Sequence, residues 1–126
     1  MIENMHVLIV DDDFNVKTTI DFMLKKMGVV NVEYASDGDY ALQYLDDPQN
    51  RVDFIICDWN MPKKTGIELL REVRTVDPDL PFFLVTGRAD PESIVTAKAA
   101  GVSGYILKPF SFKDFEKKLS ILLKDI

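Results

Sequence analysis

Short, continuously apolar runs alternate along the chain with stretches whose apolar residues recur every three or four positions. His6-Val7-Leu8-Ile9-Val10 is the first such run and predicts a strand. Val16, Ile20, Met23, Leu24 and Met27 then share one face at helical spacing, and the helix stops near Gly28. Val32 to Ala35 predicts a weaker strand, followed by a short helix carrying Ala41, Leu42 and Leu45 that breaks at Pro48. Val52 to Cys57 is the third predicted strand, and Ile67, Leu69, Leu70 and Val73 mark a helix after Gly66.

The second half repeats the alternation. Pro81 to Val85 predicts a fourth strand. Asp90-Pro91 reads as a helix N-cap and first helical position, since a proline there gives up an N–H that would lack a partner anyway. That helix ends at Gly101, suited to a left-handed cap. Tyr105 to Leu107 is the fifth strand, and Ser111 with Asp114 forms a capping box opening a last helix. The apolar face of that helix is Phe112, Phe115, Leu119, Leu122 and Leu123. Strands that are apolar throughout, rather than at alternate positions, belong to a sheet covered on both faces. Five of them alternating with helices imply right-handed crossovers and a parallel sheet. The expected fold is α/β and doubly wound.

Composition narrows this picture. The 126 residues suit one domain with one hydrophobic core, and no linker, repeat or low-complexity segment suggests a second, so residues 1–126 are taken as a single domain. No apolar stretch approaches the ~20 residues that span a bilayer, and Met1 to Met5 lack the features of a signal peptide. One cysteine excludes an internal disulfide and fits a reducing, cytoplasmic setting. A net charge of −6 argues against nucleic acid as a partner, which would call for clustered Lys and Arg, and serves solubility.

Ligands of an open α/β sheet bind at the carboxyl ends of the strands. The first strand runs into Asp11-Asp12-Asp13, the third into Asp58, the fourth into Thr86 and the fifth into Lys108-Pro109. Asp13 is expected to cap the following helix. Capping needs only one acid, and like charges ~4 Å apart repel by on the order of 4 kcal/mol at an effective dielectric of 20. A hard divalent cation would remove that repulsion, and carboxylates with few other protein ligands suit Mg²⁺. A strand threonine and a lysine carry little meaning singly. Beside a metal-binding acid pair, they are the groups needed to hold a phosphoryl group on a carboxylate. Cys57 reads as a small buried apolar group and His6 as a surface or edge residue without metal-ligand companions.

Val10-Asp11-Asp12, Asp58-Trp59-Asn60-Met61-Pro62, Val85-Thr86 and Gly104-Tyr105-Ile106-Leu107-Lys108-Pro109-Phe110 resemble the motifs of response-regulator receiver domains, over essentially the full chain. The likeness is strongest to the single-domain chemotaxis regulators. It implies a flavodoxin-like sheet of order 2-1-3-4-5 with five helices, and a cis Lys108-Pro109 bond. It implies Asp58 as phosphoacceptor, with Mg²⁺ held by Asp12 and Asp58, by the backbone carbonyl of Asn60, and by Asp11 through water. Thr86 and Lys108 would contact the phosphoryl oxygens, and Thr86 and Tyr105 would form the switch.

The implied partners are a sensor histidine kinase, a protein target on the helix 4–strand 5–helix 5 face, and a phosphatase. The protein would act as a monomer, in chemotaxis or another phosphorelay, and as a signalling module rather than a turnover enzyme. Because the sequence stops after the fifth helix, output is expected through another protein, unless the chain is a receiver cut from a longer regulator. Arg88, two positions past Thr86, lies where water would approach and is expected to influence the lifetime of the phosphorylated form. One rival is a haloacid-dehalogenase-type phosphatase using Asp11 and Asp13, but the acidic pair that family needs after the lysine is replaced by Pro109-Phe110-Ser111-Phe112.

Overall fold

In the computed structural model, residues 2–124 are described; Met1, Asp125 and Ile126, the ends of the predicted 1–126 domain, lie outside the described residues. A short 3₁₀ turn (Ile2–Asn4) precedes β1 (His6–Val10), α1 (Phe14–Lys26), β2 (Asn31–Ala35), α2 (Gly38–Asp46) and β3 (Phe54–Asp58). The chain continues through α3 (Gly66–Val76), β4 (Phe82–Thr86), α4 (Pro91–Ala99), β5 (Gly104–Leu107) and α5 (Phe112–Leu123). The five strands are parallel, in the order β2-β1-β3-β4-β5. The expected doubly wound fold and its 2-1-3-4-5 order are both observed.

Strand side chains alternate between two cores. Leu8, Val10, Ile55, Cys57, Phe82 and Leu84 face α2, α3 and α4, meeting Ala41, Ile67, Leu70 and Ala97. Val7, Ile9, Phe54, Ile56, Phe83, Val85 and Ile106 face α1 and α5, meeting Ile20, Leu24, Phe115 and Leu119. Burial on both faces is why β3 and β4 are apolar throughout, ending only on Asp58 and Thr86. Each fully buried Leu, Ile or Phe contributes roughly 1.5–3 kcal/mol of hydrophobic stabilisation.

The helix signals read from the sequence are in place. Asp13 caps α1, its carboxylate accepting from Asn15 and Val16 N–H at 2.8 and 3.4 Å. Asp90 caps α4 ahead of Pro91, and Ser111 and Asp114 form the expected capping box. A second capping box, Thr65 with Glu68, opens α3 and was not anticipated. Gly28 and Gly101 follow α1 and α4 with φ of +103° and +93°.

Boundaries move at two functional strands. The third runs Phe54–Asp58 instead of Val52–Cys57, and the fourth Phe82–Thr86 instead of Pro81–Val85. Asp58 and Thr86 are therefore the last paired residues of their strands, opposite Val85 and Leu107. Ladder hydrogen bonding reaches them because their neighbours extend as far, a fact of register that hydrophobicity does not encode.

His6 sits at the start of an interior strand, half-buried, with Nε2 2.6 Å from the Tyr44 hydroxyl. It is a rim residue, not one on an edge strand.

Candidate functional site

Parallel pairing in register brings the carboxyl ends of β1, β3, β4 and β5 to one rim. Asp58 Oδ1 is 3.1 Å from Lys108 Nζ; the carboxylate is buried and the lysine partly exposed. Asp11, Asp12 and Asp58 each offer a carboxylate oxygen, all within 4.8 Å of one another. Asp11 is buried and Asp12 exposed, so the group opens to solvent on one side. Thr86 is buried next to this rim, its Oγ1 accepting from Arg88 N–H at 3.1 Å.

Electrostatics bear on what the site can hold. Burial pushes the Asp11 carboxyl up to about 6, and the neighbouring charge of Asp58 adds to the rise. A bond from Asp13 N–H to Asp11 Oδ1 at 2.9 Å and the charge of Lys108 oppose it. Three carboxylates facing one lysine leave uncompensated negative charge at hard oxygen donors, a set that fits a small divalent cation such as Mg²⁺. The expected groups Asp11, Asp12, Asp58, Thr86 and Lys108 are thus gathered at one rim, and Lys108-Pro109 is cis.

Asn60, Arg88, Trp59 and Tyr105 line the outer side of this rim. Asn60 lies two residues past Asp58, exposed, with its Oδ1 accepting from Arg88 Nη2 at 3.0 Å. The Arg88 guanidinium also lies 4.9 Å from the Trp59 ring centre. Tyr105, half-buried, packs edge-on to Trp59 at 6.2 Å and donates to the Arg88 carbonyl at 2.7 Å. Burial raises the Tyr105 phenol, opposed by the nearby Thr86 hydroxyl.

Cys57 is fully buried behind Asp58, and burial holds its thiol well above the ordinary range, consistent with an apolar packing role.

Two contributors were missed. Gly66 opens α3 so close to β3 that a Cβ there would lie 2.3 Å from the Asp58 carbonyl oxygen, whereas in the sequence the glycine marks only the start of a helix. Lys17, on α1, is buried and donates to the Asp11 carbonyl at 2.6 Å and to Ser36 Oγ at 3.0 Å. Its signal was present, because 17, 20 and 24 share one helical face, but a lysine there reads as solvent-facing.

A doubly wound parallel sheet with an acid cluster, a hydroxyl and a lysine on its carboxyl rim defines a class of α/β domain that binds its ligand at the strand ends. Residues 7–120 match the family described as the response regulator receiver domain. The chain is 38% identical to the chemotaxis protein CheY of Pseudomonas aeruginosa over 124 residues, 97% of this chain and 98% of that protein. It is 39% identical to the chemotaxis protein CheY-3 of Vibrio cholerae over 119 residues, covering 93% and 90% of the two chains. The solved structure of the chemotaxis response regulator CheY4 of Vibrio cholerae superposes with a TM-score of 0.84 at 33% identity, covering 94% of this chain and 98% of that one. The chain belongs to the response-regulator receiver family and is a CheY-like domain of two-component signalling.

Proposed function

We propose that this receiver is a phosphorylation switch in which Asp58 is the phosphoacceptor. The supporting observation is the placement of its carboxylate at the end of β3, 3.1 Å from Lys108 Nζ and within 4.8 Å of the Asp11 and Asp12 oxygens. A carboxylate oxygen of Asp58 attacks the phosphorus of a phosphohistidine on a sensor kinase, or of a small acyl phosphate. The new P–O bond forms as the P–N or P–O bond to the donor breaks, and the electron pair leaves with the donor.

The cluster Asp11, Asp12 and Asp58, with the backbone carbonyl of Asn60, would hold Mg²⁺, Asp11 acting through water. The ion, when bound, neutralises charge on the phosphoryl oxygens. Lys108 stabilises another of those oxygens, and the Thr86 hydroxyl donates to a third. Drawing Thr86 toward the phosphoryl group would vacate space beside Tyr105, whose ring then turns inward and repacks the α4–β5–α5 face. The same groups support loss of the phosphoryl group to water, so the domain is a timed signal and not a turnover catalyst.

The names of the relatives support chemotaxis as the pathway; a protein target would bind the α4–β5–α5 face, with a phosphatase as a further partner. Among the described residues no helix is long and apolar enough to cross a membrane. We read the protein as a cytoplasmic monomer forming one domain.

The deciding experiment is mass measurement after acetyl phosphate and Mg²⁺. Wild type gains one phosphoryl group and folded Asp58→Asn gains none; labelling retained in the variant, or found on Asp11, overturns the assignment.

A further inference from the structure

We infer that Lys17 is a positioning residue for the acid pair, its buried ammonium holding the Asp11 backbone in the geometry that lets Asp11 and Asp12 share a cation. The inference rests on reading that pair as the Mg²⁺ site. Lys17 occupies the face of α1 that also carries Ile20 and Leu24, and it is only 3% exposed. An aliphatic residue would occupy such a position without the desolvation cost of an ammonium. No carboxylate pairs with Lys17 among the described residues, so the charge is not there to complete an ion pair. What it does contact is specific: the main-chain oxygen of Asp11 at 2.6 Å and Ser36 Oγ at 3.0 Å.

These contacts finish a three-point attachment of Asp11. Its N–H donates to the Ala35 carbonyl at 3.0 Å, its carbonyl accepts from Lys17, and its Oδ1 accepts from Asp13 N–H at 2.9 Å. Asp11 is the first residue beyond β1, where ladder bonding to β3 has ended at Val10. Adjacent like charges at Asp11, Asp12 and Asp58 push that segment apart. Lys17 resists the push by tying the segment to the first turn after β2. A charged hydrogen bond to the backbone does this without placing a competing cation among the carboxylate oxygens.

The test is a Mg²⁺ titration followed by Trp59 fluorescence, with amide exchange of Asp13 measured in the metal-free protein. Lys17→Met is expected to raise the Kd for Mg²⁺ about tenfold or more, as loss of an outer contact to a ligand commonly does. It should also speed exchange at Asp13. Lys17→Arg, which keeps the charge and donors, should bring Kd back to within about threefold of wild type. Ser36→Ala removes one acceptor and leaves the lysine, with an expected rise of about threefold.

A Lys17→Met protein with lower thermal stability but unchanged Kd and Asp13 exchange has lost only packing, and overturns the inference. If Lys17→Met does not fold, an unchanged Kd in Ser36→Ala overturns it instead. Absence of any Mg²⁺ response in wild type sinks the metal reading, and Asp13 exchange in the variants then still decides for or against Lys17.

Discussion

Arg88 and Asn60 are joined side chain to side chain across the rim of the site, Nη2 donating to Oδ1 at 3.0 Å. One partner stands two residues past Asp58 and the other two past Thr86, so the bond spans the ends of β3 and β4. The guanidinium is steadied further by the Trp59 ring. If Asp58 carries the phosphoryl group as proposed, this clasp would stand in the path of the attacking water. Arg88→Ala is therefore expected to shorten the lifetime of phosphorylated Asp58. About 1 kcal/mol of lost contact corresponds to a rate increase of roughly fivefold. Loss of label after removing the phosphodonor measures it, and an unchanged half-life removes Arg88 from the path of water.

Asp11 makes the metal-free protein pH-sensitive in a defined direction. Its folded pKa of about 6 exceeds its ordinary value of 3.8, so between these values the folded state holds the proton more tightly than the unfolded state. Its contribution therefore lowers stability as pH rises from about 4 to about 6, and levels off above. Asp11→Asn should remove that slope and stabilise the metal-free protein at pH 7 by about 1–3 kcal/mol. Denaturant unfolding across this range, without Mg²⁺, is the measurement, and identical slopes in the two proteins would refute it.

Mg²⁺ should protect the folded state by mass action, by about 2.7 kcal/mol at one hundred times its Kd. A chelator should reverse the gain, and Asp12→Ala should abolish it while leaving the metal-free melting temperature little changed. Melting curves with and without Mg²⁺ give the answer. Protection that persists in Asp12→Ala would move the ion elsewhere.

Gly66→Ala should damage the site without touching any charged group. The added methyl would meet the Asp58 carbonyl at 2.3 Å, and backbone cannot yield cheaply there. A cost of about 1–3 kcal/mol or more is expected, with slower phosphorylation because α3 is pushed from the end of β3. Unfolding and labelling rates measured together test this, and a variant normal in both would show that the junction is pliable.

Much of the site was visible in the chain because each of its main groups follows an apolar run. Asp58, Thr86 and Lys108 stand at strand ends, and a parallel α/β sheet sends every such end to the same rim. Lys17 was not visible for the opposite reason. Its position on the apolar face of α1 hinted at burial, but the carbonyl and hydroxyl that receive its ammonium come from the ends of two different strands, which a lysine on a helix does not announce. The clasp of Arg88 on Asn60 was equally hidden, although the place of Arg88 near the site was not.

By itself the sequence determined the element order, the two-sided burial of the sheet, the caps of α1, α4 and α5, and which chemical groups reach the strand ends. Those properties follow from local spacing, side-chain polarity and capping chemistry, all written along the chain. Tertiary structure alone decided the distances that make chemistry of them: 3.1 Å from Asp58 to Lys108, and three carboxylate oxygens within 4.8 Å. It also decided the raised pKa of Asp11 and the tie from Lys17 to its backbone. The distances and the pKa depend on register between residues far apart in sequence, and the Lys17 tie on how α1 packs against the sheet, and only the assembled sheet sets either.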